Sequence, residues 1–255
     1  MSGNVIYEPR GRAREYAELA ANLYRGCEHG CLYCFAPGAT HRERAAFHSQ
    51  VAPREGVMEK FKRDCEVLKG SGKSVLLSFT CDPYTPVDVE YQLTRQAIET
   101  LHEHGLFVQI LTKGGNRARR DFDLLGKGDA FATTMTFHTG IDSRHWEPNA
   151  AEPIDRMDTM KVAHILGIPT WVSLEPVIDP EQTLSIIRAT HEYVDLFKVG
   201  TLNHHPLAKQ IDWRDFGMRA VELLGRLGCK YYLKEDLRKH LGPEPIQEYP
   251  QEVKA

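Results

Sequence analysis

Gly26-Cys27-Glu28-His29-Gly30-Cys31-Leu32-Tyr33-Cys34 sets three thiols in one octet with the spacing C-x3-C-x2-C, while Cys65, Cys81 and Cys229 are scattered. In a reducing compartment such a cluster suits metal binding or redox chemistry better than disulfides. A structural zinc site closes with four ligands, usually as two pairs. No distant C-x2-C pair is present, and His29, the nearest fourth donor, lies in the same short loop. Three thiolates on one loop suit a cubane [4Fe-4S] cluster, which leaves one iron open to a substrate or cofactor. Zinc and reduced bystander thiols remain the alternatives.

The 255 residues are 42% hydrophobic, 26% charged and 9% aromatic, as expected of one soluble domain with a substantial core. This excludes a disulfide-stapled miniprotein or an intrinsically disordered tail. No run of about 18 apolar residues occurs, and Met1-Ser2-Gly3-Asn4 opens neither a hydrophobic signal core nor an Arg-rich leader. A cytoplasmic protein with no membrane partner is expected. Lys and Arg number 32 against 35 Asp and Glu, a formal charge of −3. Any contact with a polyanion must therefore use a local patch.

The cysteine spacing and its flanks, Asn22-Leu23-Tyr24-Arg25-Gly26-Cys27 through Tyr33-Cys34-Phe35-Ala36-Pro37, resemble the radical S-adenosylmethionine (SAM) superfamily. The resemblance implies that the amino and carboxylate groups of SAM chelate the fourth iron. It also implies that an electron from the cluster breaks the sulfonium bond to give a 5′-deoxyadenosyl radical, chemistry that the cofactor carries and the protein positions. Tyr33, just before the third cysteine, is then expected against the adenine; a plain core aromatic is the alternative. A one-electron reductant of flavodoxin or ferredoxin type follows as a partner.

Beyond the cysteine loop, apolar runs alternate with helical patterns, as a parallel sheet with crossover helices requires. Expected strands are Ala20 to Arg25, Val75 to Phe79, Phe107 to Leu111, Ala130 to Thr136, Ile168 to Leu174 and Val194 to Val199. Helices are expected around Val57 to Leu68, Thr94 to Leu101, Phe122 to Leu125, from Pro153 to before Gly167, from Pro180, and at Phe216 to Leu227. Tyr231-Tyr232-Leu233 reads as an extra edge strand. Six βα units fall short of the eight that close a TIM barrel, so the fold class is α/β, an incomplete (βα)6 TIM-like barrel. Residues 1–19 read as an N-terminal extension, 20–241 as the core and 242–255 as a mobile tail.

In such barrels chemistry gathers at the C-terminal ends of strands. The second strand ends at Asp82, which the resemblance places on the SAM ammonium; a turn-former before Pro83 is the alternative. The third ends in Thr112-Lys113-Gly114-Gly115, where Lys113 suits the SAM carboxylate, and Arg117, Arg119 and Arg120 follow as a patch for phosphate or as a solvated loop. The fourth offers Thr134 and Thr136 on one face for the ribose or carboxylate of SAM; strand propensity alone is the alternative. Glu175, Lys198, Asn203 and His204 are expected along the substrate side. Lys198 interrupts an apolar strand, which is costly unless its charge is paired, and Glu175 is an available partner.

Asn22 to Pro37, Thr80 to Glu90, Thr112-Lys113 with Arg120-Asp121, Val199-Gly200 with Leu202-Asn203, and Leu233-Lys234 are together similar to the superfamily branch around spore photoproduct lyase, the DNA repair photolyase-like proteins. That branch implies a nucleic-acid substrate, with DNA or RNA met through a local basic rim. In the lyase a cysteine returns a hydrogen and two tyrosines relay it. Here Tyr33 matches the first tyrosine, Phe35 replaces the second, and Phe79 stands at the donor cysteine's position. An intact relay is therefore not expected. Cys81, on the same face if the strand continues, is the best remaining thiol for hydrogen donation; an inert buried thiol is its alternative. Cys65 falls on an apolar helix face and Cys229 is unassigned. Three functions compete: radical SAM repair or modification of nucleic acid, the same chemistry on a peptide or small metabolite, and a non-catalytic iron-sulfur or zinc protein.

Overall fold

Short apolar runs broken by amphipathic helices pair as parallel strands because each return to the same sheet edge needs a crossover. A computed structural model of the chain describes residues 3–203, 205–243, 246, 249 and 250. Among them the strands are β1 (Ile6–Tyr7), β2 (Leu19–Ala21), β3 (Tyr24–Arg25), β4 (Ala52–Pro53), β5 (Ser74–Leu77), β6 (Phe107–Thr112), β7 (Ala130–Thr134), β8 (Thr170–Leu174), β9 (Leu196–Val199) and β10 (Tyr231–Leu233). Eight form one sheet in the order β1-β2-β5-β6-β7-β8-β9-β10. Every neighbouring pair from β2 to β10 is parallel, and β1 adds antiparallel to β2. The six strands of the expected partial barrel are all present in sequence order, with β10 as the additional edge strand.

Helices Val57–Leu68, Leu93–Glu103, Pro153–Ile165, Pro180–Thr190 and Trp213–Arg226 provide the crossovers. Between β6 and β7 the crossover is instead a 3-10 helix, Gly115–Asp121, and the expected helix at Phe122 to Leu125 is a turn. Gly115 takes φ +56 there, with Asp155 so close that a Cβ would lie 2.1 Å from its carboxylate, so the chain turns directly after β6. Phe122 then packs edge-on against Phe131 at 4.9 Å. The expected first strand is also divided: β2 stops at Ala21, and Tyr24–Arg25 pairs antiparallel with Ala52–Pro53. Asn22 causes the break. Its Oδ1 accepts from the N–H groups of Phe79, Thr80 and Cys81 at 2.8, 2.7 and 3.2 Å, which also ends β5 at Leu77.

Strand alternation sorts the interior into two layers. Val75, Leu77, Val108, Ile110, Phe131, Val172, Phe197 and Val199 pack under the helices with Phe61, Cys65 and Cys229. Ala20, Leu76, Leu111, Ala130, Ala132, Trp171 and Leu196 face the other way and pack with Tyr16 and Ala17. The small residues of this inner layer leave room for the Trp171 and Tyr16 rings. Residues ahead of position 20 are knitted in: Asp64 accepts from the N–H groups of Val5 and Ile6 at 2.6 and 2.9 Å, and Tyr16 is buried. Within the expected tail, Ile246 and Tyr249 pack against the core, while residues 244–245, 247–248 and 251–255 lie outside the described residues. Among the described residues, no helix is long and apolar enough to cross a membrane.

Phe61 is fully buried between its helix and the sheet. Phe61→Ala is expected to cost about 3–5 kcal/mol, read as a lower urea midpoint with an unchanged m-value.

Candidate active site

Cys27, Cys31 and Cys34 all line a cavity of about 490 Å³ beyond the C-terminal ends of the strands. The loop that carries them is fixed by its backbone. Cys27 N–H donates to the Phe47 carbonyl at 3.4 Å, the Leu32 N–H to that of Trp146 at 2.8 Å, and Arg44 donates to the carbonyls of Cys31 and Cys34 at 3.2 and 2.8 Å. Gly26 at φ +89 admits no side chain, since a Cβ would lie 2.3 Å from the Phe47 carbonyl. Burial, with Asp82 and Cys31 nearby, pushes the Cys27 thiol well up. Burial also lifts Cys31 to about 12 against the pull of Lys113, and raises Cys34. Three crowded thiols ionise together only if a cationic group joins them, as metal binding provides.

His29 is not offered as a fourth ligand. Its Nε2 lies 3.0 Å from the Arg117 guanidinium, which can only donate, and its Nδ1 lies 3.4 Å from Asp82. His29 lines the cavity as well, but with both ring nitrogens engaged it leaves the thiols as the side-chain donors of this loop, a set that fits an iron-sulfur cluster better than zinc.

Asp82 lies at the centre of this wall. It accepts from the Tyr84 N–H at 2.8 Å, the Thr112 hydroxyl at 2.6 Å and the Lys113 N–H at 2.7 Å, with His29 beside it. Burial pushes its carboxyl up, but the His29 ring and these donors hold it well below the usual carboxylate range. Lys113 also lines the cavity, its ammonium 5.7 Å from the centre of the Tyr33 ring; burial lowers its pKa, but Cys31, Glu147 and Asp82 outweigh that and keep it charged.

Tyr33 presents its ring to the cavity and turns its hydroxyl away, to Glu147 and to Thr136 at 3.1 Å. Glu147 in turn pairs with Arg156 at 2.5 Å, both fully buried. Arg156 also donates to the carbonyls of Ala151 and Thr134 at 2.7 and 3.1 Å. Thr134 lines the cavity; Thr136 does not, because β7 ends at Thr134 and the alternation that would have put both on one face stops there. Cys81 lines the cavity from a loop held by Asn22, although β5 does not continue to it. Burial, with Asp82 nearby, pushes its thiol up to about 12.

Glu175 and Asn203 also line the cavity, with Tyr16, Ser173 and Lys234. Glu175 accepts from the Tyr16 hydroxyl at 2.8 Å, from Asn203 at 3.2 Å and from Lys234. Its cation is thus Lys234, and the expected Lys198 pairing is not formed. Lys198 is buried below, donating to the Tyr16 carbonyl at 3.1 Å with its ammonium 4.1 Å from the centre of the Trp171 ring, and it does not line the cavity. The expected arginine patch is also turned inward. Arg117 donates to the Tyr84 carbonyl at 2.9 Å as well as meeting His29, Arg119 donates to Thr159 at 3.2 Å, and Arg120 pairs with Asp88 and Asp121. None of the three lines the cavity. His204 lies outside the described residues.

The family model of the radical SAM superfamily matches residues 21–194. The chain belongs to the radical SAM superfamily. An uncharacterized protein of Methanocaldococcus jannaschii is 25% identical over 191 residues, covering 73% of this chain and 71% of that protein. Two solved structures share the fold. A spore photoproduct lyase variant with bound SAM and dinucleoside spore photoproduct superposes with a TM-score of 0.64 at 12% identity, over 86% of this chain and 76% of the lyase. Streptococcus suis SuiB bound to SAM superposes with a TM-score of 0.67 at 13% identity, over 89% of this chain and 53% of SuiB. As a member of that superfamily the protein is a radical SAM enzyme, with the SAM and iron-sulfur cluster that the family implies.

Several residues of this radical SAM site escape sequence reading. Glu147 sits in no motif. Arg156, however, falls on the helical stripe of Pro153, Met157, Met160 and Ala163, and a cation on an apolar stripe signals a buried partner. The pair also yields a pH signature. Burial pushes the Glu147 carboxyl up, but Arg156 and Lys113 hold it below its ordinary value. The unfolded chain then binds the proton more readily, so this contribution to stability is full above about pH 4.3 and lost as pH falls through the folded pKa. Arg156→Met leaves the burial with only Lys113 to oppose it. The folded pKa rises, and the variant loses stability as pH increases from about 4.3 upward, with a deficit of about 3–5 kcal/mol near neutrality. Urea midpoints of both proteins at pH 5 and pH 8 check this: the gap between them widens at pH 8.

Proposed function

We propose that this radical SAM enzyme holds a [4Fe-4S] cluster on Cys27, Cys31 and Cys34 and repairs or modifies a base in nucleic acid. The observation that carries the proposal is the convergence of three thiols from one loop on a cavity that also has Lys113, Thr134 and the Tyr33 ring in its lining. When bound, the cluster supplies the electron that cleaves SAM reductively to the radical that abstracts a substrate hydrogen.

The residues of the chain orient and shield that chemistry. Lys113 supplies a fixed positive charge for the SAM carboxylate, and the Tyr33 ring a flat apolar surface for the adenine. Thr134 offers a hydroxyl to the ribose or carboxylate. A carboxylate has about four acceptor positions, and four groups already surround Asp82. Its part is to hold Lys113 and the cluster loop in register rather than to take up the SAM ammonium. Because Tyr33 donates its hydroxyl to Glu147, away from the cavity, no tyrosine relay runs through it. Cys81 keeps its proton at neutral pH and so has an S–H to give.

The nucleic-acid reading is supported by the motifs shared with the photolyase-like branch and by the common fold with a lyase that binds a dinucleoside photoproduct. The reductant is a one-electron donor of flavodoxin or ferredoxin type. Anaerobic reconstitution is expected to give about four irons and four sulfides per chain and, with dithionite and SAM, 5′-deoxyadenosine. Cys31→Ala loses both. Nucleosides digested from treated DNA and RNA, compared with peptide and metabolite fractions treated in parallel, identify the target; a change confined to the latter fractions rejects nucleic acid.

A second variant isolates the thiol. Cys81→Ala is expected to keep the cluster and SAM cleavage while the yield of product per 5′-deoxyadenosine falls by an order of magnitude or more. An unchanged yield removes Cys81 as hydrogen donor.

A further inference from the structure

Two residues that line the cavity from the segment before β2, Arg10 and Arg12, are exposed to solvent, and so is Phe35, directly after the last cysteine of the cluster loop. A residue that is both exposed and part of the cavity lining stands at its rim. Phe35 is 58% exposed, directly after the half-buried Cys34. Arg12 pairs with Asp236. Arg10 has no hydrogen bond or ion pair among the described residues. Of the carboxylates of this segment and of the cavity lining, Glu15 accepts from the Tyr232 hydroxyl at 3.1 Å and the Glu235 N–H at 2.7 Å and Glu175 holds Lys234, while Glu8 is exposed. The lining of one cavity thus presents two guanidinium groups and an aromatic ring to solvent.

Resting on the nucleic-acid reading above, we propose that this rim is the phosphate and base subsite of the enzyme. Arg10, with Arg12, binds a backbone phosphate of a single-stranded or extruded nucleotide, and Phe35 stacks the base at the entrance. Planar guanidinium groups match phosphate geometry, and an aromatic face takes any base. Target atoms inside a duplex cannot enter a cavity of about 490 Å³, so the base must leave its stack to reach it. The positive site lies before β2 rather than after β6, where the arginines are consumed by internal partners.

Fluorescence anisotropy of a labelled single-stranded oligonucleotide, titrated with the full chain across a salt series, tests this without turnover. Arg10→Ala is expected to weaken binding and to reduce the slope of log K against log salt by about 0.7. The Arg10→Ala/Arg12→Ala double variant is expected to reduce it by about twice that. Phe35→Ala weakens binding by about fivefold to a hundredfold with the slope unchanged. Arg63→Ala, on the outer face of the helix Val57–Leu68, changes neither. If the wild-type chain binds and Arg10→Ala matches it in affinity and slope, the rim assignment falls while the nucleic-acid reading stands. If the wild-type chain binds no oligonucleotide, both fall. If an acidic peptide binds in its place and is lost in Arg10→Ala, the rim takes a peptide and the nucleic-acid subsite is overturned.

Discussion

One buried carboxylate joins the three segments from which the catalytic wall is built. Asp82, in the loop after β5, reaches the cluster loop through His29, its own loop through the Tyr84 N–H, and the end of β6 through Thr112 and Lys113. An ionised carboxylate left alone at that depth would be expensive, and its donors come from elements far apart in sequence. Each donor stabilises the charge, and the charge fixes each donor. The position of the cysteine loop over the strand ends is thus set by this buried carboxylate together with the backbone contacts of the loop.

Much of the fold was legible because strand and helix periods differ. β5 to β10 fall where apolar runs of strand length stand between glycines, prolines and amphipathic helices. The boundaries that shifted did so through side chains capturing backbone. Asn22 takes three N–H groups of the next strand-end loop, which cuts β2 from β3 and ends β5 early. Nothing in the local pattern of Leu19 to Arg25 signals a partner more than fifty residues away. The cluster cysteines were readable for the opposite reason: their spacing on one loop is itself the chemical requirement.

The ion pairs show where sequence reasoning stops. Read from sequence, Lys198 needs a partner because it stands inside an apolar strand, and Glu175, at the end of the neighbouring strand, is available. Register decides otherwise. Lys198 lies beside Ser173 on β8, whereas Leu174 lies beside Val199, and Val199 beside Leu233. The next row beyond the strand ends is therefore Glu175, Gly200 and Lys234. Gly200 is what lets the outer two meet: a Cβ there would lie 2.8 Å from the Glu175 carboxyl carbon. Lys198 sits lower, over Trp171, where its charge meets a ring face and the Tyr16 carbonyl instead.

That row also explains why the segment before β2 matters to the cavity. Tyr16 lies under the Lys234 ammonium, 4.1 Å from the centre of its ring, and donates its hydroxyl to Glu175. Its ring meets Phe79 edge-on at 5.6 Å. A phenol with its O–H on a carboxylate and its face on a cation has little freedom left, so it anchors the turn Gly11–Glu15 against the cavity wall. Arg10 and Arg12 are presented at the rim because Tyr16 is buried. The near-neutral charge of the whole chain and exposed arginines in the cavity lining are therefore compatible: many acidic residues are spent inside and around the sheet on donors that the fold needs, while Arg10 stands exposed at the entrance.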